Sequence, residues 1–195
     1  MSRLYGRRLM VRPLVASDFA AWTEVRRRNA EWLRIWEPSS QPSPADPARD
    51  RNLFNNRCTT RERERQQGIA YGFGIFVDGA FCGEINLNNV VRGAFQSAYV
   101  GYWIDQARAG RSYMPEAVVV VSRFAFEDLH LHRLEIDIIP RNSNSRRVLE
   151  KLRYREEGVA ERFLEINGVW EDHVRYGITA EEWAERQGEL AHAWL

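Results

Sequence analysis

The chain has 195 residues, enough for one domain with a sizeable core, and its 28 Lys and Arg against 27 Asp and Glu leave a net charge of +1 that calls for no nucleic-acid partner. Cys58 and Cys82 make no disulfide framework or CxxC pair, and His130, His132, His173 and His192 have no zinc-ligand spacing, so a reducing compartment and no metal are expected. No apolar run approaches the ~20 residues that span a bilayer and the N-terminus lacks a signal-peptide core, which predicts a cytoplasmic protein without a membrane partner.

Residues 8–14 alternate as a strand. Ser17 is placed to cap a helix reaching about Asn29, with Arg26, Arg27 and Arg28 on a solvated face, and Trp32 to Trp36 extend or follow it. Pro38, Pro42, Pro44 and Pro47 mark a long loop, a candidate substrate lid, before a charged helix over about 47–67. Strands at 69–77 and 80–88 flank Asp78-Gly79, a hairpin signal. A strand at 97–104 precedes a small-residue loop and a helix ending near Leu129. Strand 133–139 and helix 143–153 come next. A last hairpin, 159–166 and 169–178, turns at Asn167-Gly168. Thr179 and Glu182 have capping-box spacing for a C-terminal helix. The pattern is α+β with a mostly antiparallel sheet; 1–195 reads as a single domain, its core about 8–178 and its terminal helix 179–195.

The chemistry concentrates in Asp105-Gln106-Ala107-Arg108-Ala109-Gly110-Arg111-Ser112, which runs from a strand straight into a helix. Small residues there let successive backbone N–H groups face one anion, and the helix adds the positive end of its dipole, with Pro115 suited to its first turn. A P-loop is excluded, because the only lysine is Lys151. A dinucleotide fingerprint is excluded by the mid-chain position and by the following strand, which ends in Pro140. What remains is a pyrophosphate held by backbone, as in coenzyme A. Downstream, Asn142 or Ser143 can cap a helix carrying Val148, Leu149 and Leu152 at helical spacing, with Ser145 near its start.

Taken together with Gly101-Tyr102-Trp103-Ile104, Leu131-His132-Arg133-Leu134-Glu135 and Asn167-Gly168-Val169-Trp170-Glu171-Asp172-His173, these segments resemble the GNAT N-acetyltransferases, and among them the Rim-type ribosomal-protein enzymes. The alanine-specific branch is the most similar, through Asn89-Val90-Val91-Arg92-Gly93-Ala94-Phe95 and the final hairpin. The resemblance covers nearly the whole chain, with departures at Ala107 and Ser112 in the loop and at Arg153, where the family has glycine.

The resemblance implies a GNAT acyl-CoA N-acyltransferase fold whose central strands 97–104 and 133–139 splay, with flanking helices. It implies acetyl-CoA as acyl donor, held by Trp103, Ile104, Ala107, Arg108, Ala109, Gly110, Arg111, Ser112 and Asn142. Backbone N–H groups of the opened strand would polarise the thioester carbonyl. Ser145 is the candidate to protonate the departing thiolate and Glu84 the candidate base. Leu164 occupies the hairpin position where some relatives carry a glutamate, and Asp172 and His173 are a further option for base or substrate binding. Phe163, Trp170, Glu171 and Asp172 are expected on the acceptor side. The favoured acceptor is the N-terminal alanine or serine of a ribosomal protein, attacked directly. A small amine (aminoglycoside, polyamine or amino acid) and a non-catalytic acyl-CoA-binding module stay open, as does a homodimer.

Overall fold

A computed structural model describes residues 3–38 and 46–195. The strands are β1 (Leu4–Tyr5), β2 (Leu9–Arg12), β3 (Tyr71–Val77), β4 (Ala80–Val91), β5 (Ser97–Ile104), β6 (Arg133–Ile138), β7 (Arg155–Ile166) and β8 (Val169–Thr179). The helices are α1 (Phe19–Arg28), α2 (Ala30–Arg34), α3 (Arg51–Gln66), α4 (Tyr113–Arg123), α5 (Ser143–Leu152) and α6 (Ala180–Trp194). All the strands join one sheet in the order β1-β2-β3-β4-β5-β6-β8-β7.

Every neighbouring pair is antiparallel except β5 and β6, which run parallel. That pair is joined only where Ser97, Ala98 and Tyr99 face Arg133, Leu134 and Glu135. Beyond Tyr99, β5 is held by β4 alone, and beyond Glu135, β6 is held by β8 alone. The sheet therefore opens into a V at its centre, which is the splay that the family resemblance implies.

Alternation decides which face of each strand is buried. Leu134, Ile136 and Ile138 of β6 join the main core with Ile85 and Leu87 of β4, and Ala117 to Val121 of α4 pack into the same core. An apolar run without a polar stripe makes α4 a helix buried nearly all round. On the other side of the sheet, Trp22 and Val25 of α1 and Phe54 of α3 form a second cluster with Phe76 and Phe81.

The turn chemistry holds: Asp78 and Gly79 have φ of 51° and 76°, and Asn167 and Gly168 have 50° and 82°, the positive values a tight hairpin turn requires. Thr179 and Glu182 form the expected capping box on α6. Other details differ from the sequence reading. Ser17 caps nothing; a short 3-10 turn, Ala16–Asp18, leads into α1, and the Asp18 carboxylate accepts from Val15 N at 2.8 Å. Asn142, not Ser143, caps α5. Helix α4 gives way to a π turn, Phe124–Asp128, with Leu129 N donating to Phe124 O at 3.0 Å. Strand β7 begins at Arg155 rather than 159, and two register shifts bend it against β8. The proline loop lies largely outside the described residues, Pro42 and Pro44 included.

Candidate active site

The V between β5 and β6 opens a cavity of about 930 Å3 that passes between the two strands. One end is lined by Arg108, Gly110, Ser112, Asn142, Ser145 and Lys151, and the other by Trp32, Trp36, Asn88, Tyr99, Phe163 and His173. Asp137 lies on β6 two residues past Glu135, the last residue of β6 bridged to β5.

The loop that closes the first end is anchored at both edges. Asp105 is buried and accepts Asn29 Nδ2 at 2.8 Å, the Arg28 guanidinium and Ala107 N at 3.3 Å. Burial opposes its ionisation, but hydrogen bonds from Arg28, Asn29 and Ala107 win and hold the carboxyl below the usual range. Asn29 Oδ1 also accepts Gln106 N at 2.9 Å, so the end of α1 fixes the start of the loop. At the far edge, Arg8 donates to the carbonyls of Arg111 and Ser112, both at 3.1 Å. In a trans peptide the C=O and N–H point opposite ways, so drawing these two carbonyls toward Arg8 turns the N–H groups of Ser112 and Tyr113 away from it. Arg8 is itself held by Glu116, buried on α4, which accepts Arg8 Nε at 2.9 Å and the backbone N–H of Arg8 and Leu9 at 2.6 and 3.1 Å.

Gly110 has φ of 76°, and a Cβ built on it meets no protein atom within 4 Å, so it would project into open space at the cradle. The N–H groups of Gly110, Arg111 and Ser112 have no acceptor among the described residues. Ser112 is left-handed at φ 61°, a conformation that favours glycine and strains an L side chain. Its hydroxyl accepts Lys151 Nζ at 3.0 Å, so the chain's only lysine braces the residue that departs from the family pattern. Unpaired amides, a glycine without Cβ, and three cations, Arg108, Arg147 and Lys151, fit a pyrophosphate-bearing ligand.

Of the residues expected to hold the donor, Trp103, Ile104, Arg108, Ala109, Gly110, Ser112 and Asn142 line the cavity, whereas Ala107 and Arg111 do not. Ala107 spends its N–H on Asp105, and Arg111 gives its carbonyl to Arg8. Asn142 accepts Ser145 N at 3.2 Å as the helix cap, and Ser145 lines the cavity while its carbonyl accepts the Tyr102 hydroxyl at 3.2 Å. Burial pushes the Tyr102 phenol well above its ordinary value, so it stays a neutral donor.

Glu84 is not in this cavity. It is buried beneath α1 and α3, with Trp22 Nε1 at 2.7 Å and Arg57 at 2.5 Å on its two oxygens, and it borders a separate, smaller cavity. At the second end of the main cavity, Glu37 accepts both Arg26 nitrogens, at 2.5 and 2.8 Å. The buried His173 ring has Nδ1 at 3.0 Å from Glu171 O; a carbonyl only accepts, so Nδ1 carries the proton and Nε2 keeps a lone pair. Burial lowers its pKa, which leaves it neutral at pH 7. Phe163 packs edge-on against it at 5.8 Å between centroids. Leu164 lines the cavity; Asp172 instead accepts Arg162 N at 2.8 Å, and Trp170 is exposed. A bridge between Pro38 and Ile166 joins the segment after α2 to the hairpin.

The Acetyltransferase (GNAT) domain family matches residues 8–155. The chain belongs to the GNAT acetyltransferase family. It is 33% identical over 185 residues to the ribosomal protein uS5-alanine N-acetyltransferase of Escherichia coli, covering 93% of this chain and 92% of that one. It is 36% identical over 172 residues to the Bacillus subtilis protein named "Probable N-acetyltransferase YjcK", covering 87% and 93%. Among solved structures, Mycobacterium smegmatis RimJ in complex with CoA-disulfide superposes with a TM-score of 0.90 at 31% identity, over 98% of this chain and 94% of that one.

Three parts of this GNAT enzyme's site escaped sequence reasoning. Arg8 and Glu116 are 108 positions apart, and nothing local pairs them. Asn29 read as a helix end, although its side chain serves the loop. Asp137 drew no functional reading in the sequence; its place in the cavity lining follows from the parting of β5 and β6, which no local pattern shows.

Proposed function

We propose that this GNAT acetyltransferase moves the acetyl group of acetyl-CoA onto the α-amine of a protein N-terminus, with alanine or serine of a ribosomal protein as the favoured acceptor, in the cytoplasm. The observation that carries the reading is one cavity passing between splayed strands, with an amide cradle and cations at one end and an aromatic chamber at the other. The likeness to the uS5-alanine enzyme supports the acceptor class. In this reading the cradle from Arg108 to Ser112 takes the pyrophosphate. The free backbone edge of β5 at Trp103 and Ile104 takes the extended arm and polarises the thioester carbonyl. Ser145, beside the same cavity, hydrogen-bonds the departing thiolate. Glu84, whose two oxygens serve Trp22 and Arg57, holds α1 and α3 against β4 rather than serving as the base.

The test is release of free thiol from acetyl-CoA with a panel of amines. Peptides beginning with alanine or serine should be turned over, and the same peptides with a blocked N-terminus and an internal lysine should not. Preference for a polyamine or aminoglycoside over every free N-terminus would contradict the acceptor, and no thiol release with any amine would contradict the reaction.

A further inference from the structure

Building on that reading, we propose that Asp137 is the group that receives the acceptor amine and takes its proton. Two carboxylates, Glu37 and Asp137, stand among the described residues that line the cavity, and Glu37 has both oxygens engaged by Arg26. Asp137 is different. Its side chain is 6% exposed, and Oδ1 has no hydrogen-bond partner. Arg175 Nε lies 3.4 Å away without the alignment of a hydrogen bond, and is itself unpartnered. An unsatisfied buried carboxylate oxygen costs free energy that a bound N–H donor recovers.

The surrounding charges explain why Asp137 is left short. Glu135, two residues back on β6, accepts Arg133 NH2 at 3.2 Å, and its Oε1 lies 3.3 Å from Arg175 NH2 without a hydrogen bond, so Arg175 stands between the two carboxylates and is aligned with neither. Arg133 is further committed to Glu157 on β7, which Arg155 also meets at 3.1 Å. On β5, Tyr99 faces the same group as a neutral phenol, its pKa raised by burial and by Glu135 and Asp137. Burial and Glu135 push the Asp137 carboxyl up to about 6, against the pull of Arg175. It is therefore ionised at pH 7 and above, yet a stronger base than an ordinary aspartate.

The step balances simply. The lone pair of the neutral amine forms the C–N bond, and the C–S bond breaks with its electron pair on sulfur. The nitrogen, positively charged as the bond forms, gives one proton to Asp137 Oδ1. The thiolate takes a proton from solvent by way of the Ser145 hydroxyl, and Asp137 returns its proton to solvent. Glu135 acts as a positioning residue by sharing the Arg175 cation with Asp137 and by adding its own negative charge beside it.

The experiment is the pH dependence of kcat/KM with an alanine-terminated peptide, beside the acetyl-CoA Kd. Below the limb set by the acceptor amine itself at ~7.7–8.0, wild type should show a second acidic limb near pH 6. Asp137→Asn should lose that limb and about 10²–10⁴ of kcat/KM, with an unchanged acetyl-CoA Kd. Glu135→Gln should move the limb to lower pH. The proposal is overturned if folded Asp137→Asn keeps wild-type kcat/KM, or keeps the limb, or if His173→Gln is the variant that loses the limb. A wild-type protein that binds acetyl-CoA and acetylates no amine overturns the acetyl-transfer reading itself, and this assignment with it.

Discussion

Several single residues are held in conformations or ionisation states that folding alone does not favour. Ser112 at φ 61° and Arg153 at φ 52° sit where an L side chain costs roughly 1–2 kcal/mol, and both are positions where the family pattern calls for a small residue. Gly110 has no such strain, and its missing Cβ keeps the cradle open. Gly110→Val, in a protein still folded by circular dichroism, should raise the acetyl-CoA Kd by about tenfold or more, because its side chain would enter the space a phosphate needs; calorimetry reads the change. Ser145→Ala should lower kcat by about 10²-fold or more if the hydroxyl assists thiolate departure, with little change in cofactor affinity. Asp137 gives a prediction about stability with a definite sign. Its carboxyl is raised from 3.8 to about 6 in the folded protein, so the native state binds the proton more tightly than the unfolded chain between those values. Stability from this group is thus present below pH 3.8 and falls as pH rises to about 6. Asp137→Asn should therefore raise the Tm at pH 8 and leave it nearly unchanged at pH 4, as scanning calorimetry can show.

The elements that build the site were legible to different degrees, and the reasons are physical. Strand β6 announces itself by alternation, two hairpins by Asp-Gly and Asn-Gly, and α6 by its capping box. Strand β1 is two residues long, too short for any period. The first four residues of β7, Arg155 to Gly158, are exposed and lie outside the strand expected at 159–166, because Arg-Glu-Glu-Gly offers no apolar alternation. The loop between β5 and α4 was legible because small residues between strand and helix have a local meaning, whereas the clamp that orients it pairs Arg8, just before β2, with Glu116 of α4. Arg8→Ala should free the carbonyls of Arg111 and Ser112 and let the loop turn. The acetyl-CoA KM should rise severalfold while kcat at saturating donor is nearly kept, since Arg8 touches no reacting atom. An equal fall in kcat with unchanged KM would contradict this role for the clamp.

Across the molecule, the sheet leaves one cavity where β5 and β6 part, and in the proposed function donor and acceptor meet there. That arrangement suits direct attack. Cys58 and Cys82 both lie outside the cavity lining, and burial pushes the Cys82 thiol up to about 12, so neither offers a thiolate for a covalent acyl intermediate. Initial velocities at varied donor and acceptor concentrations should give intersecting lines; parallel lines, the pattern of a covalent intermediate, would contradict direct transfer. The most direct test of the whole account is mass spectrometry of a peptide with a free N-terminal alanine and one internal lysine, after incubation with acetyl-CoA and the enzyme. The account predicts a single acetyl group on the α-amine, with the rate rising toward the amine's ordinary pKa of ~7.7–8.0. Acetyl on the lysine with the α-amine untouched would contradict it.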